Sequence, residues 1–378
     1  MKAHDPQLAP LPPMGWNSWN TLGTAVDEAG VLANAERLVA SGLADLGYRH
    51  VVVDDCWCDG RERDGRLRAD ASRFPAGMRA LGERLHGMGL RFGIYACAGV
   101  RTCAGRPGSY GLEALDAETF ASWGVDLLKY DYCHAPDDRE EAIRRYTAMG
   151  EALRGCGRPI VYSVCEWGSR SPWTFPAIAH GHCARTTFDI IDSWDGRLDY
   201  DNRGATVCHI LDRQHGLAEH AAPGRWNDMD MLVVGLRGCG HIGGGGCTDT
   251  EYRSHFALWC LHASPLFIGA DLRRIDDASL ALLSWREAIA VNQDPCGHQA
   301  VRVAREGRCE VFQKQLANGA LALGLLNRGE GEAAVRWRGW GRFRVRELQD
   351  GGDLGVVDGE LALPTAPHAL RLVRLEPA

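Results

Sequence analysis

Eight short apolar runs punctuate the chain between Met14 and Ile268: Met14–Trp16, His50–Val53, Arg91–Ala96, Val125–Lys129, Pro159–Ser163, Thr187–Ile191, Met229–Val233 and Pro265–Ile268. Each is three to six residues long and apolar on most positions, the pattern of a strand buried on both faces. Between them lie stretches with apolar residues at helical spacing: Val31–Leu46, Ala76–Met88, Ala117–Trp123, Glu140–Leu153, Arg203–Leu217, Glu251–Leu261 and Ser279–Ala290. Eight β/α repeats predict an α/β chain folded as a (β/α)8 TIM barrel over residues 10–293. No GxGxxG follows an early strand and opens a helix, so nothing favours a dinucleotide-binding sheet.

The pattern changes at Asn292-Gln-Asp-Pro-Cys-Gly297. Beyond it, short alternating runs (Ala300–Ala304, Cys309–Gln315, Ala320–Asn327, Glu332–Trp337, Phe343–Glu347 and Leu370–Leu375) are separated by turn residues such as Ala317-Asn-Gly and Asp350-Gly-Gly. They predict a small C-terminal antiparallel β-sandwich over residues 298–378, with a packing role. The Gly-rich stretch Gly235–Gly246 reads as a barrel loop and lacks the ending of a phosphate loop.

Composition narrows the partners. A formal net charge of -7 supplies no basic field for nucleic acid or anionic membrane. The arginines of Arg336–Arg346 alternate with Trp, Phe, Gly and Val like the outward face of strands. No apolar run is long enough to span a bilayer, and the first ten residues lack the apolar core of a signal peptide. A cytoplasmic protein is the expectation, or a secreted one if a leader has been removed; oligomeric state has no sequence signature. The 14 cysteines are scattered, with no second close pair to complete structural-zinc spacing, and read mostly as buried thiols.

The chemistry gathers just past the predicted strand ends, where β/α barrels place their sites. Asn17, Ser18 and Trp19 follow the first strand, and Asp54, Asp55, Cys56 and Trp57 the second. Tyr95 ends the third, Lys129 and Asp131 the fourth, and Cys165, Glu166 and Trp167 the fifth. Arg185, Asp189 and Asp192 surround the sixth; Asp228 and Asp230 surround the seventh. Carboxylates accept hydrogen bonds from hydroxyls and indoles stack on a sugar ring, so this rim fits a carbohydrate. Any one of these acids could be a helix cap; their convergence is what argues for a site. Asp131 and Asp189 come from next-but-one strands and supply the two carboxylates that glycoside hydrolysis needs, with retention or inversion left open.

Met14-Gly-Trp-Asn-Ser-Trp19, Asp54-Asp-Cys-Trp57, Gly93-Ile-Tyr95, Lys129-Tyr-Asp131, Cys165-Glu-Trp167, Arg185-Thr-Thr-Phe-Asp189, Asp192-Ser-Trp194 and Trp226-Asn-Asp-Met-Asp-Met231 form an ordered series. It resembles glycoside hydrolase family 27, the family of α-galactosidases and α-N-acetylgalactosaminidases. The resemblance implies a retaining glycosidase without cofactor or metal, acting on a carbohydrate with a terminal α-galactose. It makes Asp131 the nucleophile and Asp189 the acid/base. Lys129 would help keep Asp131 ionised. Asp54 and Asp55 would bind the galactose 4- and 6-hydroxyls, and Lys129 the 3- and 4-hydroxyls. Trp19 and Tyr95 would line the pocket, Arg185 and Glu166 would face the 2-position, and Asp230 would lie near the acid/base. Glu166 and Trp167 stand in a pattern resembling galactosidases, and Asp54-Asp55 favours a sugar with a hydroxymethyl group. The alternatives are α-N-acetylgalactosaminidase, β-L-arabinopyranosidase and a non-catalytic galactose-binding protein. Cys103 and Cys133 stand where the family forms a disulfide bordering the pocket; in a reducing compartment they are expected to remain thiols. Cys56 lacks the partner that many secreted members provide, since Thr21–Ala25 contains no cysteine.

Overall fold

The computed structural model describes residues 5–196 and 204–378. Its first part is an eight-stranded parallel sheet: β1 (Met14–Asn17), β2 (His50–Val53), β3 (Arg91–Cys97), β4 (Leu127–Asp131), β5 (Val161–Cys165), β6 (Cys183–Arg185), β7 (Trp226–Asp228) and β8 (Leu266–Ile268). The strands pair in the order β8-β1-β2-β3-β4-β5-β6-β7. A parallel bridge between Leu232, just after β7, and Ile268 in β8 closes the sheet into a barrel. Val52, Leu127, Val161, Cys183 and Trp226 fill the barrel floor. The Trp226 indole fixes the floor to the chain entry by donating to the Ala9 carbonyl at 2.9 Å.

Helices cover the outer face, and side-chain caps set where several begin. Asp27 starts Glu28–Ala40 and Asp138 starts Arg139–Gly155, each accepting a backbone N–H of the first turn. Thr248 and Glu251 form a reciprocal capping box at the start of Asp249–Leu261, which is buried along most of its length. Three predicted helices differ. The one expected over Val31–Leu46 runs Glu28–Ala40 and is followed by a separate 3-10 turn, Ala44–Leu46. The one expected from Arg203 runs Val207–Arg213, and Arg203 itself lies outside the described residues. Ser279–Ala290 is two helices, Asp277–Leu283 and Arg286–Asn292, because the chain extends at Trp285 and turns its indole to the Leu348 carbonyl.

The sixth and seventh strands are displaced from their predicted positions. The β-branched run Thr187–Ile191 is not β6; it follows it. Its backbone bonds go elsewhere: Ile190 N–H donates to the Asp230 carboxylate and Ile191 N–H to the Ala205 carbonyl. Met229–Val233 likewise follows β7, since Asp230 adopts φ 71° and interrupts extension there.

The C-terminal part is antiparallel: β9 (Val301–Glu306), β10 (Cys309–Gln315), β11 (Leu321–Asn327), β12 (Ala333–Glu347), β13 (Asp353–Thr365) and β14 (Leu370–Pro377), in the order β9-β10-β11-β14-β12-β13. The first half of β12 folds over β10, with the Trp337 indole donating to Gln313 Oε1 at 2.9 Å, which gives the two layers of a sandwich. Glu332–Trp337 and Phe343–Glu347, expected as separate strands, are the two ends of β12, joined through an irregularity between Arg338 and Arg342. No helix among the described residues is long and apolar enough to cross a membrane.

Candidate active site

Register places Asp131 beside Cys97 of β3 and Cys165 of β5, at the C-terminal rim of the barrel. Its carboxylate is fixed at both oxygens. Tyr95 Oη donates to Oδ2 at 2.9 Å and Tyr132 N–H to Oδ1 at 2.8 Å. Asp131 is only 5% exposed, and burial pushes its carboxyl up to about 7. Asp189 pushes the same way; Lys129 and the two hydrogen bonds pull it down without cancelling burial.

Lys129, expected to keep Asp131 ionised, does favour its charged form, while its direct ion pair is with Asp54, Nζ to Oδ2 at 2.7 Å. Asn17 donates to the same Asp54 oxygen at 2.7 Å, and Asp55 N–H donates to the other at 2.9 Å. Burial opposes the charge on Lys129, but Asp54, Cys165 and Asp131 together raise its pKa above the usual lysine range. Asp55 is held by backbone donors, Cys56 N–H at 2.6 Å and Ala104 N–H at 2.9 Å. Burial raises its carboxyl nonetheless. Strands β1, β2 and β4 thus deliver one connected patch, Asn17–Asp54–Lys129, with carboxylate lone pairs and ammonium protons left to meet hydroxyls.

Across the mouth, Arg185 at the end of β6 holds two carboxylates with one nitrogen: Nη2 lies 2.5 Å from Asp189 Oδ1 and 2.7 Å from Asp230 Oδ2. Asp230 is buried, and burial raises its carboxyl to about 6 against the pull of Arg185. Asp189 differs in access, with its side chain 52% exposed on the loop that displaced the predicted strand. Beneath these groups a cavity of about 30 Å3 is lined by Asn17, Lys129, Cys165, Arg185, Asp228 and Asp230. It separates the polar mouth from the apolar floor.

Glu166 does not stand open at the mouth. It is 0% exposed, and its carboxylate is taken by the Arg170 guanidinium and by Arg170 N–H at 2.9 Å. Arg170 also stacks over the Tyr132 ring at 4.8 Å and pairs with Asp137 at 2.6 Å. Trp167 follows with φ 64°, its ring against Phe188. Trp19 meets His241 of the Gly-rich loop edge-on at 4.8 Å, and His241 N–H donates to the Asn20 carbonyl at 2.7 Å, so that loop is docked on the β1 side of the mouth. Arg170, Phe188 and His241 were not among the predicted site residues. Their signal is contact with Glu166, Trp167 and Trp19, which a linear reading does not carry.

Cys103 and Cys133, expected as thiols in a reducing compartment, are joined as a disulfide with Cα atoms 5.1 Å apart. The Cys103 sulfur lies 3.6 Å from Asp131 Oδ2, so the bridge forms part of the wall around that carboxylate. Cys103, Asp131 and Cys133 place potential ligand atoms within 4.8 Å of one another. With the two sulfurs bonded together, neither is a thiolate, and the trio is not a metal-binding set. Cys56, without a partner, is a buried free thiol.

The whole chain has close relatives. The family profile described as Alpha galactosidase A matches residues 11–294. The α-galactosidase A of Cellvibrio japonicus is 45% identical over 325 residues, covering 86% of this chain and 78% of that protein. The structure of α-galactosidase I from Mortierella vinacea superimposes with a TM-score of 0.93 at 34% identity, covering 99% of both chains. That of the Saccharomyces cerevisiae α-galactosidase with raffinose gives a TM-score of 0.90 at 29% identity, over 98% of both. With the profile spanning the barrel and these likenesses extending through the sandwich, the chain belongs to the α-galactosidase A family, the glycoside hydrolase family 27 that its motif series resembles.

Proposed function

We propose that this protein is a retaining α-galactosidase, hydrolysing terminal α-D-galactosides by double displacement. The observation that carries the reading is the asymmetry of its two carboxylates: Asp131 is sealed and doubly hydrogen-bonded, while the Asp189 side chain is half exposed. A nucleophile needs a fixed oxygen shielded from water. An acid/base must exchange protons with solvent and meet the leaving oxygen.

In the first step Asp131 attacks the anomeric carbon, the glycosidic bond breaks and Asp189 gives its proton to the leaving oxygen. A β-galactosyl ester on Asp131 remains. Asp189 then takes a proton from water, the hydroxide oxygen bonds to the anomeric carbon and the ester bond breaks. α-Galactose leaves and both carboxyls are restored. Lys129 draws Asp131 toward the ionised form that attack requires. Arg185, shared between Asp189 and Asp230, places a single positive charge between two carboxylates and fixes Asp189 at the mouth.

The Saccharomyces relative bound to raffinose supports a galactoside with a sugar leaving group. The Asn17–Asp54–Lys129 patch supports recognition of galactose hydroxyls. The test is hydrolysis of p-nitrophenyl α-D-galactopyranoside followed by proton NMR. α-Galactose as the first product supports the reading; β-galactose, or an inert protein, contradicts it. Because Asp131 must be ionised, kcat/KM is expected to fall as pH drops below about 7. The N-acetylgalactosaminide tests the 2-position, to which the family resemblance assigns Glu166 and Arg185. Its kcat/KM is expected to be at least about a hundredfold lower.

A further inference from the structure

Phe188 is an exposed apolar ring on the loop that carries Asp189. It is 37% exposed and immediately precedes Asp189. Its ring lies 6.2 Å from that of Trp167, with the planes 28° apart, so one face is backed by an indole. The exposure does not come from a loose loop. Thr186 N–H and Thr186 Oγ1 both donate to the Asp228 carbonyl, at 2.9 and 3.0 Å. Gln214 donates to Thr186 Oγ1 at 2.9 Å. On the other side, Ala205 N–H donates to the Asp189 carbonyl at 2.8 Å and Ile190 N–H to Asp230 at 2.7 Å. The Trp167 side is locked as well, since Gly168 has φ 73° and packs so closely that a Cβ would collide with the Thr186 carbonyl oxygen.

A rigidly presented aromatic face in water carries an unrecovered hydrophobic cost unless a ligand covers it. Neither bond-making step of the hydrolysis uses a ring at this position. Asp189, however, must reach the oxygen of the departing group, so whatever is attached to that oxygen lies beside Asp189 and hence beside Phe188. We propose that Phe188, backed by Trp167, is the platform of a leaving-group subsite on which the departing pyranose ring of an oligosaccharide stacks its apolar C–H face. This rests on the reading of Asp189 as proton donor, and it makes Phe188 a specificity-determining residue for galactosyl-sugars over galactosides with small leaving groups.

The test compares kcat/KM for melibiose, whose leaving group is a glucose ring, with that for α-galactosyl fluoride, whose leaving group has no ring and requires no proton donor. Phe188→Ala is expected to lose at least about tenfold more on melibiose than on the fluoride, and Phe188→Tyr to recover most of the loss. Equal losses on both substrates, or none on melibiose, would overturn the subsite. Asp189→Ala serves as the separate check on its premise: it should cripple melibiose cleavage and spare glycosyl transfer from the fluoride. A wild type inert toward the fluoride would instead overturn the α-galactosidase reading, and the subsite with it.

Discussion

At Asp131, burial and hydrogen bonding act in opposite directions, and burial is the larger effect. A carboxyl raised from its ordinary 3.8 to about 7 favours the folded protein while protonated and opposes it once ionised. Its stabilising contribution is therefore complete below the unfolded pKa of about 4 and is lost as pH rises through about 7. Asp131→Asn should then be nearly as stable as wild type at pH 4 and more stable at pH 8, with an upper bound of about 4 kcal/mol from the shift. Thermal unfolding of the two proteins from pH 4 to 8 checks this; a difference in Tm that does not grow with pH contradicts it. The acids were legible in the sequence because a barrel puts strand-end side chains at one rim whatever their partners. Partner choice was not. Lys129 reaches Asp54 on another strand, and Glu166 is turned inward by Arg170 four residues later. Both depend on side-chain direction, which residue type and spacing leave open.

Among the elements, strands buried on both faces were legible where they form the apolar run itself, as in β2, β3 and β8. The three-residue β6 and β7 were masked by the more apolar runs that directly follow them. β13 escaped because Gly355, Gly359 and its many exposed positions erase the alternation of an edge strand. The displacement at β6 matters for function: it puts Asp189 on a loop, where its side chain can meet solvent, rather than in the sheet. Gly168→Ala probes how that loop is held. The added methyl meets the Thr186 carbonyl at a position already in left-handed backbone. The expected loss is about 1–3 kcal/mol of stability together with reduced kcat/KM on sugar leaving groups. Unaltered Tm and kinetics would mean the two loops are not locked there.

Across the whole molecule, the sandwich docks on the barrel through polar contacts as well as apolar ones. Lys314 of β10 donates to the Val291 carbonyl at 2.6 Å, and the Ser254 hydroxyl to the His368 carbonyl at 2.7 Å. Arg328, after β11, holds Asp212 of the barrel helix Val207–Arg213 with two bonds of 2.8 and 3.1 Å and lies 3.5 Å from the buried Glu310. Arg328→Met would remove both bonds to Asp212 and one of three arginines around Glu310, leaving Arg302 at 3.3 Å and Arg305 at 3.4 Å. It is expected to cost about 1–2 kcal/mol, read as a lower Tm, with KM for the aryl galactoside unchanged. A changed KM at unchanged Tm would place the sandwich in catalysis instead of support. The two-part architecture was visible as a switch from helix-interleaved runs to simple alternation. The contacts between the parts were not, since several join residues more than a hundred positions apart, as Ser254 and His368 do.

The central claim is that Asp131 forms the covalent bond to galactose. Asp131→Ala, supplied with azide and p-nitrophenyl α-D-galactopyranoside, tests it most directly. With the carboxylate gone and space left in its place, azide should attack the anomeric carbon from the same side and restore turnover, and NMR should identify the product as β-galactosyl azide. α-Galactosyl azide, or a variant that still hydrolyses the substrate without azide, would contradict the account.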